Sequence, residues 1–272
     1  MADERRTGMR VVGGRGSTAA ETGTTSAINK AFTALRLLRA SPAPVTVTAL
    51  AKGVGVAASS AHAILGHLVS EGAVVQLPDK RYTLGPALFH LGASFAAGTP
   101  VYRSMWLELG QIANELGVTA AVAVPWDGHH LVLNAHAGGP TDIAVPFGGR
   151  IPLAASSWGK VYYGWSGQPV PATLPRYTER SITDRGALIA ESTEARSRGY
   201  AVDEGEYADE VGGVCAAVTS ADGYEGLASL IAPLDRLHEL GTDALGRRLA
   251  GLASRASLAL GDGERVRFFG SR

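Results

Sequence analysis

Two short patterns in the chain hold residue types that can do chemistry. Ser157-Trp158-Gly159-Lys160 is an S-x-x-K tetrapeptide, in which a lysine can activate a serine nucleophile. The K-T-G and S-D-N elements that accompany this chemistry do not occur in the chain, so an acylating hydrolase is not favoured. His129, His130 and His136 lie close in sequence, but no carboxylate or thiol set accompanies them at metal-ligand spacing. We therefore expect no catalytic residue, no metal site and no cofactor.

Residues 56–72, VAASSAHAILGHLVSEG, combine helical spacing with residue types that can contact DNA. One face of the expected helix is apolar and carries Ala61, Ile64, Leu65 and Leu68. The other face presents the candidate DNA contacts, which are Ser59, Ser60, His62, Ala63 and His67. Hydroxyl groups at a helix N-terminus can bond phosphates or base edges, imidazole can donate to a base acceptor, and a methyl group can touch a thymine methyl. The alternative for each histidine is an exposed side chain without a contact.

This helix has no Lys and no Arg, so the charge for phosphate contacts must come from elsewhere. Lys80 and Arg81 are the best basic candidates, because they lie where two expected strands, 74–77 and 81–84, are joined by a turn. From a wing tip they can reach the adjacent minor groove or its phosphates, and a solvated tip is the alternative. With so few cations per subunit, tight DNA binding is expected to need several subunits acting together.

These candidates need a scaffold, and residues 26–85 have the pattern of a winged helix-turn-helix. Apolar residues at steps of three and four predict a first helix from Ser26 that ends before Pro42. Thr46 is expected to cap a short second helix, and Gly55 to make the turn into the third, which ends near Gly72. Three helices followed by a β-hairpin are typical of this DNA-binding motif.

The rest of the chain divides into segments of different composition and hydrophobic spacing. Residues 1–25 are rich in Gly, Ser, Thr, Ala and charge, and we expect them to be a disordered arm. Residues 86–104 are expected to form a linker helix, residues 105–262 an effector-binding domain, and residues 263–272 a tail. The expected strands of that domain are 118–124, 129–137, 216–220 and 226–233, and its expected helices are 156–165, 184–198 and 235–260. This mixture predicts an α+β ligand-binding domain.

Composition narrows the class of protein. Apolar residues make up 46% of the 272 residues and 18% are charged, which is ordinary for a globular chain. The formal net charge is zero, but residues 1–85 hold ten Lys and Arg against five Asp and Glu, so a basic first part precedes an acidic second part. No apolar run is long enough for a membrane span, no secretory signal is present, and Cys215 is the single cysteine. These features predict a cytoplasmic protein without a membrane partner.

Once these residues are placed, the chain resembles the IclR family of bacterial transcription regulators. The resemblance runs from about Ser26 to Leu260 and rests on five stretches in family order, which are INKAFTALRLLRA, GVAASSAHAILGHLVSEGAVVQLPDKRYTLGPALFHLG, GGRIPLAASSWGK, RGYAVDEGEY and GVCAAV. It implies an α+β architecture in which a winged helix-turn-helix is joined by a linker helix to a GAF-like effector-binding domain. It also implies homodimers or homotetramers, a pseudo-palindromic operator in double-stranded DNA, and a small organic acid as effector.

The same resemblance places the effector site. The residues that match family positions lining the ligand are Ile151, Ser157, Trp158, Asp203, Cys215 and Ser229. The hydroxyl groups of Ser157 and Ser229 offer neutral donors for a carboxylate, whereas Asp203 suits a ligand hydroxyl or holds a loop in place. Trp158 stands where the family usually has a small residue, so it either narrows the pocket or offers an aromatic face for stacking on a ring, and core packing is the alternative for Ile151 and Trp158. Ile231 stands where a polar residue is frequent. Both departures favour an aromatic or otherwise apolar-bodied carboxylate as the effector.

Two further departures concern DNA binding and alignment. Ala58 and Ala63 occupy places where the family usually has basic residues, so direct base reading by the third helix is weakened. The segment between Glu206 and Cys215 is about two residues longer than usual, which makes the match of Cys215 less secure.

The predicted function is a ligand-responsive, DNA-binding transcriptional regulator, a repressor of a catabolic operon. The alternative is a small-molecule sensing module that does not bind DNA. The sequence does not name the effector or the operator.

Overall fold

The computed structural model describes residues 26–140 and 143–261, together with the backbone of two short strands, β1 (Arg10–Val11) and β10 (Arg267–Phe268), which pair in parallel. Otherwise the expected arm and the expected tail lie outside the described residues. Backbone contacts divide the described chain into two compact units, of which the first ends at Ala97 and the second begins at Gly98.

The first unit is a three-helix winged motif, as the sequence predicts. Its helices are α1 (Ala27–Ala40), α2 (Val47–Val54) and α3 (Ala58–Ser70). The wing is an antiparallel pair, β2 (Val74–Gln76) and β3 (Tyr82–Leu84), and α4 (Pro86–Gly98) follows it. The side chains at the centre of its core are Ala34, Leu38, Leu50, Ala61, Leu65, Val74 and Tyr82.

Local sequence signals fix where these helices begin and end. The hydroxyl groups of Ser26 and Thr46 accept hydrogen bonds from backbone N–H groups three residues on, at 3.3 and 3.2 Å. Gly55 ends α2 with φ 76° and Gly72 follows α3 with φ 67°, in the left-handed region that glycine adopts without steric cost. The residue types therefore determine the position of the turn between α2 and α3, and this turn sets the direction of α3 within the unit.

The sequence interrupts the helical pattern of residues 86–116 at Gly98 and Pro100, and the structure has two helices there. α4 ends at Gly98, and α5 (Pro100–Leu116) begins at Pro100 and belongs to the second unit. The cause is local, because the ring of Pro100 disfavours a helical conformation at Thr99, which is extended with ψ 122°. The first helix of the second unit therefore begins earlier than the expected boundary at residue 105.

The second unit is built on one antiparallel sheet in the spatial order β6-β5-β4-β9-β8-β7. Its strands are β4 (Thr119–Trp126), β5 (His129–Ala137), β6 (Arg150–Pro152), β7 (Ala201–Ala208), β8 (Val211–Ser220) and β9 (Gly223–Pro233). β6 and β7 form the two edges and were not predicted. β6 has three residues only, and β7 carries charged residues and a glycine, so neither shows the apolar signal of a strand.

Helices cover this sheet. α5 and α9 (Thr242–Gly261) contact each other and pack on β4 and β8, whereas α6 (Ser156–Trp165) and α7 (Arg185–Arg198) contact each other and pack against β7. The expected last helix over 235–260 is α8 (Leu234–Leu240) followed by α9, because Gly241 interrupts it with φ 78°. A helical layer and a sheet of this kind confirm the predicted α+β class.

Within the described part of the chain, no single helix is long and apolar enough to cross a membrane. α2 and α3 reach the required apolar length only when taken together, and they are bent by 104° at their junction.

Candidate DNA-binding surface and effector cavity

The helix α3 presents the five predicted contact residues on one exposed face. Ser59, Ser60, His62, Ala63 and His67 are all exposed, while Ala61 and Leu65 on the other side are fully buried. A Cβ at Gly66 would meet nothing within 4 Å in its own unit, so this part of the face is smooth. The surface has the shape expected of a helix that enters the major groove.

The N-terminus of α3 is open. The residue at its N-cap, Ala57, makes no side-chain cap hydrogen bond, because alanine has no acceptor to offer. The first backbone N–H groups of a helix have no partner within the helix, so those of Ala58, Ser59 and Ser60 can donate to a phosphate oxygen. The absence of a capping side chain thus leaves space and donors where a DNA backbone can approach.

The wing tip differs from the prediction in one respect. Arg81 and Asp79 form an exposed ion pair with an Nη2–Oδ2 distance of 2.6 Å, and Nε of Arg81 also donates to the same oxygen at 2.7 Å. Oδ1 of Asp79 accepts the backbone N–H of Arg81 at 3.0 Å, and the Arg81 guanidinium lowers the pKa of the Asp79 carboxyl. Arg81 is therefore partly neutralised, whereas Lys80 projects from the turn with φ 62°. The sequence prediction treated the two cations as equal and missed that the Asp79 carboxylate pairs with Arg81.

The second unit contains a cavity of about 910 Å³. Its walls are Pro140, residues 143–146, Ile151, the first turn of α6, and parts of β7, β8 and β9. Five of the six predicted effector residues line it, namely Ile151, Ser157, Trp158, Asp203 and Ser229. Ile231 lines it as well, so one wall is apolar at the position that the sequence singled out.

Cys215 does not line the cavity. Its side chain is fully buried in the core opposite Ser229 in the pairing of β8 with β9, where it contacts the cluster that contains Trp158. Burial raises the pKa of its thiol well above the usual value. Among the predicted effector residues, Cys215 is thus the one that the structure places in the core next to the cavity, and its contact with a ligand stays a prediction.

The first turn of α6 provides the polar part of the cavity wall. Ser156 has φ 56°, a rare conformation for a residue other than glycine, and its hydroxyl accepts the backbone N–H of Trp158 at 3.3 Å. The N-cap residue of α6, Ala155, offers no side-chain acceptor. Ser157 is 1% exposed and lines the cavity. Hydroxyl groups and free N–H groups at a helix N-terminus favour a carboxylate. Ser156 was missed, since its strained backbone has no signature in the sequence.

The opposite wall is acidic. Asp203 and Glu210 line the cavity, and no Lys, Arg or His is among the described residues that do so. Burial raises the pKa of Asp203 to about 7, against the lowering effect of the hydrogen bond from the Glu206 backbone N–H. Asp203 is thus divided between its acid and its carboxylate near neutral pH, and its acid form can donate a hydrogen bond.

Ser229 plays a different part from the expected one. Its hydroxyl donates to the backbone oxygen of Val214 at 3.0 Å, so its single hydrogen is already used inside the protein. Ser229 can offer a ligand only its oxygen as an acceptor. Of the two predicted serine donors, Ser157 is the one whose hydroxyl has no such bond to the Val214 oxygen, and ligand binding by either serine stays a prediction.

The S-x-x-K tetrapeptide has a structural use. Lys160 is 4% exposed, and its ammonium group donates to the backbone oxygen of Val202 at 2.8 Å and to Oε1 of Glu206 at 2.6 Å. Oε2 of Glu191 lies 3.4 Å away. An ammonium held by two carboxylates and a carbonyl is not placed to take a proton from Ser157. The arrangement does not support the hydrolase.

The three histidines on β5 lie in separate environments. His136 contacts Oδ1 of Asn114 at 2.7 Å, and His129 contacts Arg150 at 2.9 Å. His130 is fully buried and meets the rings of Trp158 and Tyr162 edge to face, and burial lowers its pKa to about 3. They form no common site.

Comparison with known proteins bears on both surfaces. Residues 27–78 match the family model of the IclR helix-turn-helix domain, and residues 97–258 match that of the bacterial transcriptional regulator IclR C-terminal domain. The first contains α1 to α3 and the second contains the cavity. The two models together cover well over half of the chain.

Relatives match over most of their length. The chain is 24% identical over 258 residues to the transcriptional repressor IclR of Escherichia coli, an alignment that covers 90% of this chain and 93% of that protein. It is 29% identical over 210 residues to the HTH-type transcriptional regulator TtgV of Pseudomonas putida, with 75% and 79% covered.

Solved structures agree. An IclR transcriptional regulator from Alicyclobacillus acidocaldarius has a TM-score of 0.76 at 26% identity, with 88% of this chain and 100% of that chain covered. An IclR homolog from Microbacterium hydrocarbonoxydans, solved as a complex with 4-hydroxybenzoate, has a TM-score of 0.74 at 20% identity, with 86% and 100% covered.

Proposed function

We propose that this chain, which belongs to the IclR family of transcriptional regulators, represses a catabolic operon and that its effector is a small aromatic carboxylate. Regulators of this family bind DNA and respond to effectors, and they are not enzymes. A sensing module that does not bind DNA is thereby set aside. The observation that carries the ligand class is the cavity, in which an open helix N-terminus faces apolar walls.

On the DNA side, α3 enters the major groove with its open N-terminus at a phosphate. Ser59, Ser60 and His62 make the base-edge or phosphate contacts, and Ala63 and His67 lie along the same face. The wing tip reaches the neighbouring minor groove, and Lys80 is its main cation for phosphate contacts because Arg81 is paired with Asp79. Because one subunit offers few cations, we propose a homodimer or homotetramer on a pseudo-palindromic operator.

On the effector side, the carboxylate binds the N-terminus of α6 through the hydroxyl of Ser157 and the adjacent backbone N–H groups. The aromatic body lies against Trp158 and the aliphatic side chains of Ile151 and Ile231. Asp203 on the far wall suits a hydroxyl group of the ligand, since a hydroxyl can donate to its carboxylate or accept from its acid form. The 4-hydroxybenzoate held by the Microbacterium homolog has these two ends, and we propose an effector of this shape.

The size of the cavity supports this choice. A volume of about 910 Å³ lies near the upper end of the range for small-molecule sites, which leaves room for a ring and its substituents. Binding in this cavity changes operator affinity through the way that subunits pair, with a coupling free energy of about 1–3 kcal/mol, as is typical of allosteric coupling in general.

The test is calorimetric titration with a panel of benzoates, among them 4-hydroxybenzoate, and with pyruvate as a small keto acid. We expect a benzoate to bind the wild-type protein and Ser157→Ala to weaken that binding about tenfold, which corresponds to one lost hydrogen bond to a charged group. Ser197→Ala removes an exposed serine of α7 and serves as the matched control. If pyruvate binds and every benzoate fails, the proposed effector class is wrong.

A further inference from the structure

The buried ammonium group of Lys160 joins two walls of the effector cavity. Lys160 lies on α6, two residues after Trp158, and therefore on the helix whose first turn faces the cavity. Its bonds at 2.8 and 2.6 Å reach the backbone oxygen of Val202 and the carboxylate of Glu206. These two acceptors flank Asp203, the acidic residue of the opposite wall. The Lys160 side chain thus connects α6, which faces one end of the cavity, to β7, which faces the opposite end.

β7 bulges just after Asp203 and Glu204, and its backbone turns tightly within this bulge. The pairing of β7 with β8 shifts between Glu204 and Ala208, and Gly205 has φ 87°. A Cβ at Gly205 would lie 2.7 Å from the backbone oxygen of Asp209, so only glycine fits there. Oδ1 of Asp203 accepts the backbone N–H of Glu206 at 2.7 Å. The direction of the Asp203 carboxyl is therefore tied to the shape of this turn.

Other groups hold the turn from outside the cavity. The hydroxyl of Thr178 donates to the backbone oxygen of Gly205, and that of Ser181 to the backbone oxygen of Glu206, each at 2.7 Å. These bonds hold carbonyl groups only. Among the contacts of the described residues, the Glu206 side chain is held by Lys160 alone. The Lys160 bond also ties the turn to α6.

We propose that Lys160 is a positioning residue that sets the separation between the N-terminus of α6 and Asp203, and so determines how the cavity discriminates effectors by their second polar group. This inference rests on the proposed function, since it takes the effector to bind between those two walls. A buried ion pair gains little stability over an apolar pair of the same volume, because both charges lose their water. Its contribution is geometric, because the ammonium group donates to two fixed acceptors on β7 and lies 3.4 Å from a carboxylate on α7.

The experiment compares Lys160→Met with Arg248→Met. The control removes another cation between two elements of the same unit, since Arg248 on α9 bonds Glu115 on α5 at 2.5 Å. The first readout needs no ligand and is hydrogen exchange of a peptide that covers residues 203–208. We expect Lys160→Met to exchange the Glu206 amide at least about tenfold faster, because Asp203 no longer holds it, and Arg248→Met to leave it unchanged. Unchanged exchange in Lys160→Met overturns the proposal.

The second readout is the ratio of the dissociation constants of benzoate and 4-hydroxybenzoate, which differ only in the hydroxyl group. We expect this ratio to be well above one in the wild type and in Arg248→Met, and to fall to about one in Lys160→Met. A merely structural role would weaken both ligands equally and keep the ratio, which would contradict the discrimination that we propose.

If Lys160→Met does not fold, Glu206→Gln removes the charge of the partner at nearly constant volume and is judged by the same two readouts. If the wild type binds neither probe, the proposed effector class fails, and hydrogen exchange alone still decides whether Lys160 holds the turn.

Discussion

Asp79 forms an ion pair with Arg81, one of the two cations of the wing, and removal of the Asp79 charge should strengthen DNA binding. The change is Asp79→Asn, which keeps the Oδ1 atom that accepts the Arg81 N–H and so preserves the turn. It removes the charge that binds the guanidinium at 2.6 Å. The net charge of the tip, counted over Asp79, Lys80 and Arg81, rises from one to two. Arg81 then becomes free to contact a phosphate.

The magnitude follows from counterion release. Each added phosphate contact steepens the slope of log affinity against log salt by about 0.9, so the two wings of a dimer add about 1.8. Between about 200 and 50 mM salt, this corresponds to an extra gain of about 12-fold in affinity for the variant over the wild type.

The assay is fluorescence anisotropy with a duplex selected from random sequence by the wild-type protein, over that salt range. Asp235→Asn removes one exposed charge from the other unit and should leave the slope unchanged. Lys80→Gln should make the slope shallower by about 0.9 per wing. Equal slopes for the wild type, Asp79→Asn and Lys80→Gln would show that the wing does not touch DNA, and the reasoning would be refuted.

Three further outcomes can be measured. Binding of an unsubstituted benzoate should weaken as the pH rises through about 7, because Asp203 on the far wall becomes a second negative charge in the same cavity, and calorimetry on Asp203→Asn should show no such dependence. Burial lowers the pKa of His130 to about 3, from 6.5 in the unfolded chain, so below pH 6.5 the unfolded state binds a proton that the folded state does not. The free energy of unfolding should therefore fall by up to about 1.4 kcal/mol for each pH unit of acidification. Urea unfolding of His130→Phe should show a smaller dependence on pH. Gly246→Ala should destabilise by about 1–3 kcal/mol in thermal unfolding, since its Cβ would overlap the ring of Tyr200, whereas Gly251→Ala on the same helix has room and should stabilise by about 0.5–1 kcal/mol. Equal shifts for the two glycines would contradict the packing described here.

The DNA-binding unit follows from the sequence because its signals are local. Caps at Ser26 and Thr46 and turns at Gly55 and Gly72 act within four residues, and apolar spacing alone identifies the buried face of α3. The five residues predicted to face DNA are exposed for the same reason. Their contacts with DNA stay a prediction.

The effector unit was less accessible to sequence reasoning because its contacts are distant. Lys160 meets Glu206 across 46 residues, and no spacing rule reveals such a partner. Ser229 loses its donor to Val214 on a neighbouring strand, and Cys215 lies in the core behind the wall rather than on it. Strand alternation decides which face a residue takes, so a shift in a bulged pair such as β7 with β8 defeats a match by position alone.

The most direct test of a ligand-responsive regulator is operator affinity with and without its effector. Anisotropy titrations on the selected duplex, at fixed salt, would be run with the tightest ligand of the benzoate panel, absent and saturating. We expect the dissociation constant for DNA to change by about 5–150-fold, and Ser157→Ala to need correspondingly more ligand for the same change. An operator affinity that saturating ligand leaves unaltered would contradict the coupling between the cavity and the DNA-binding surface.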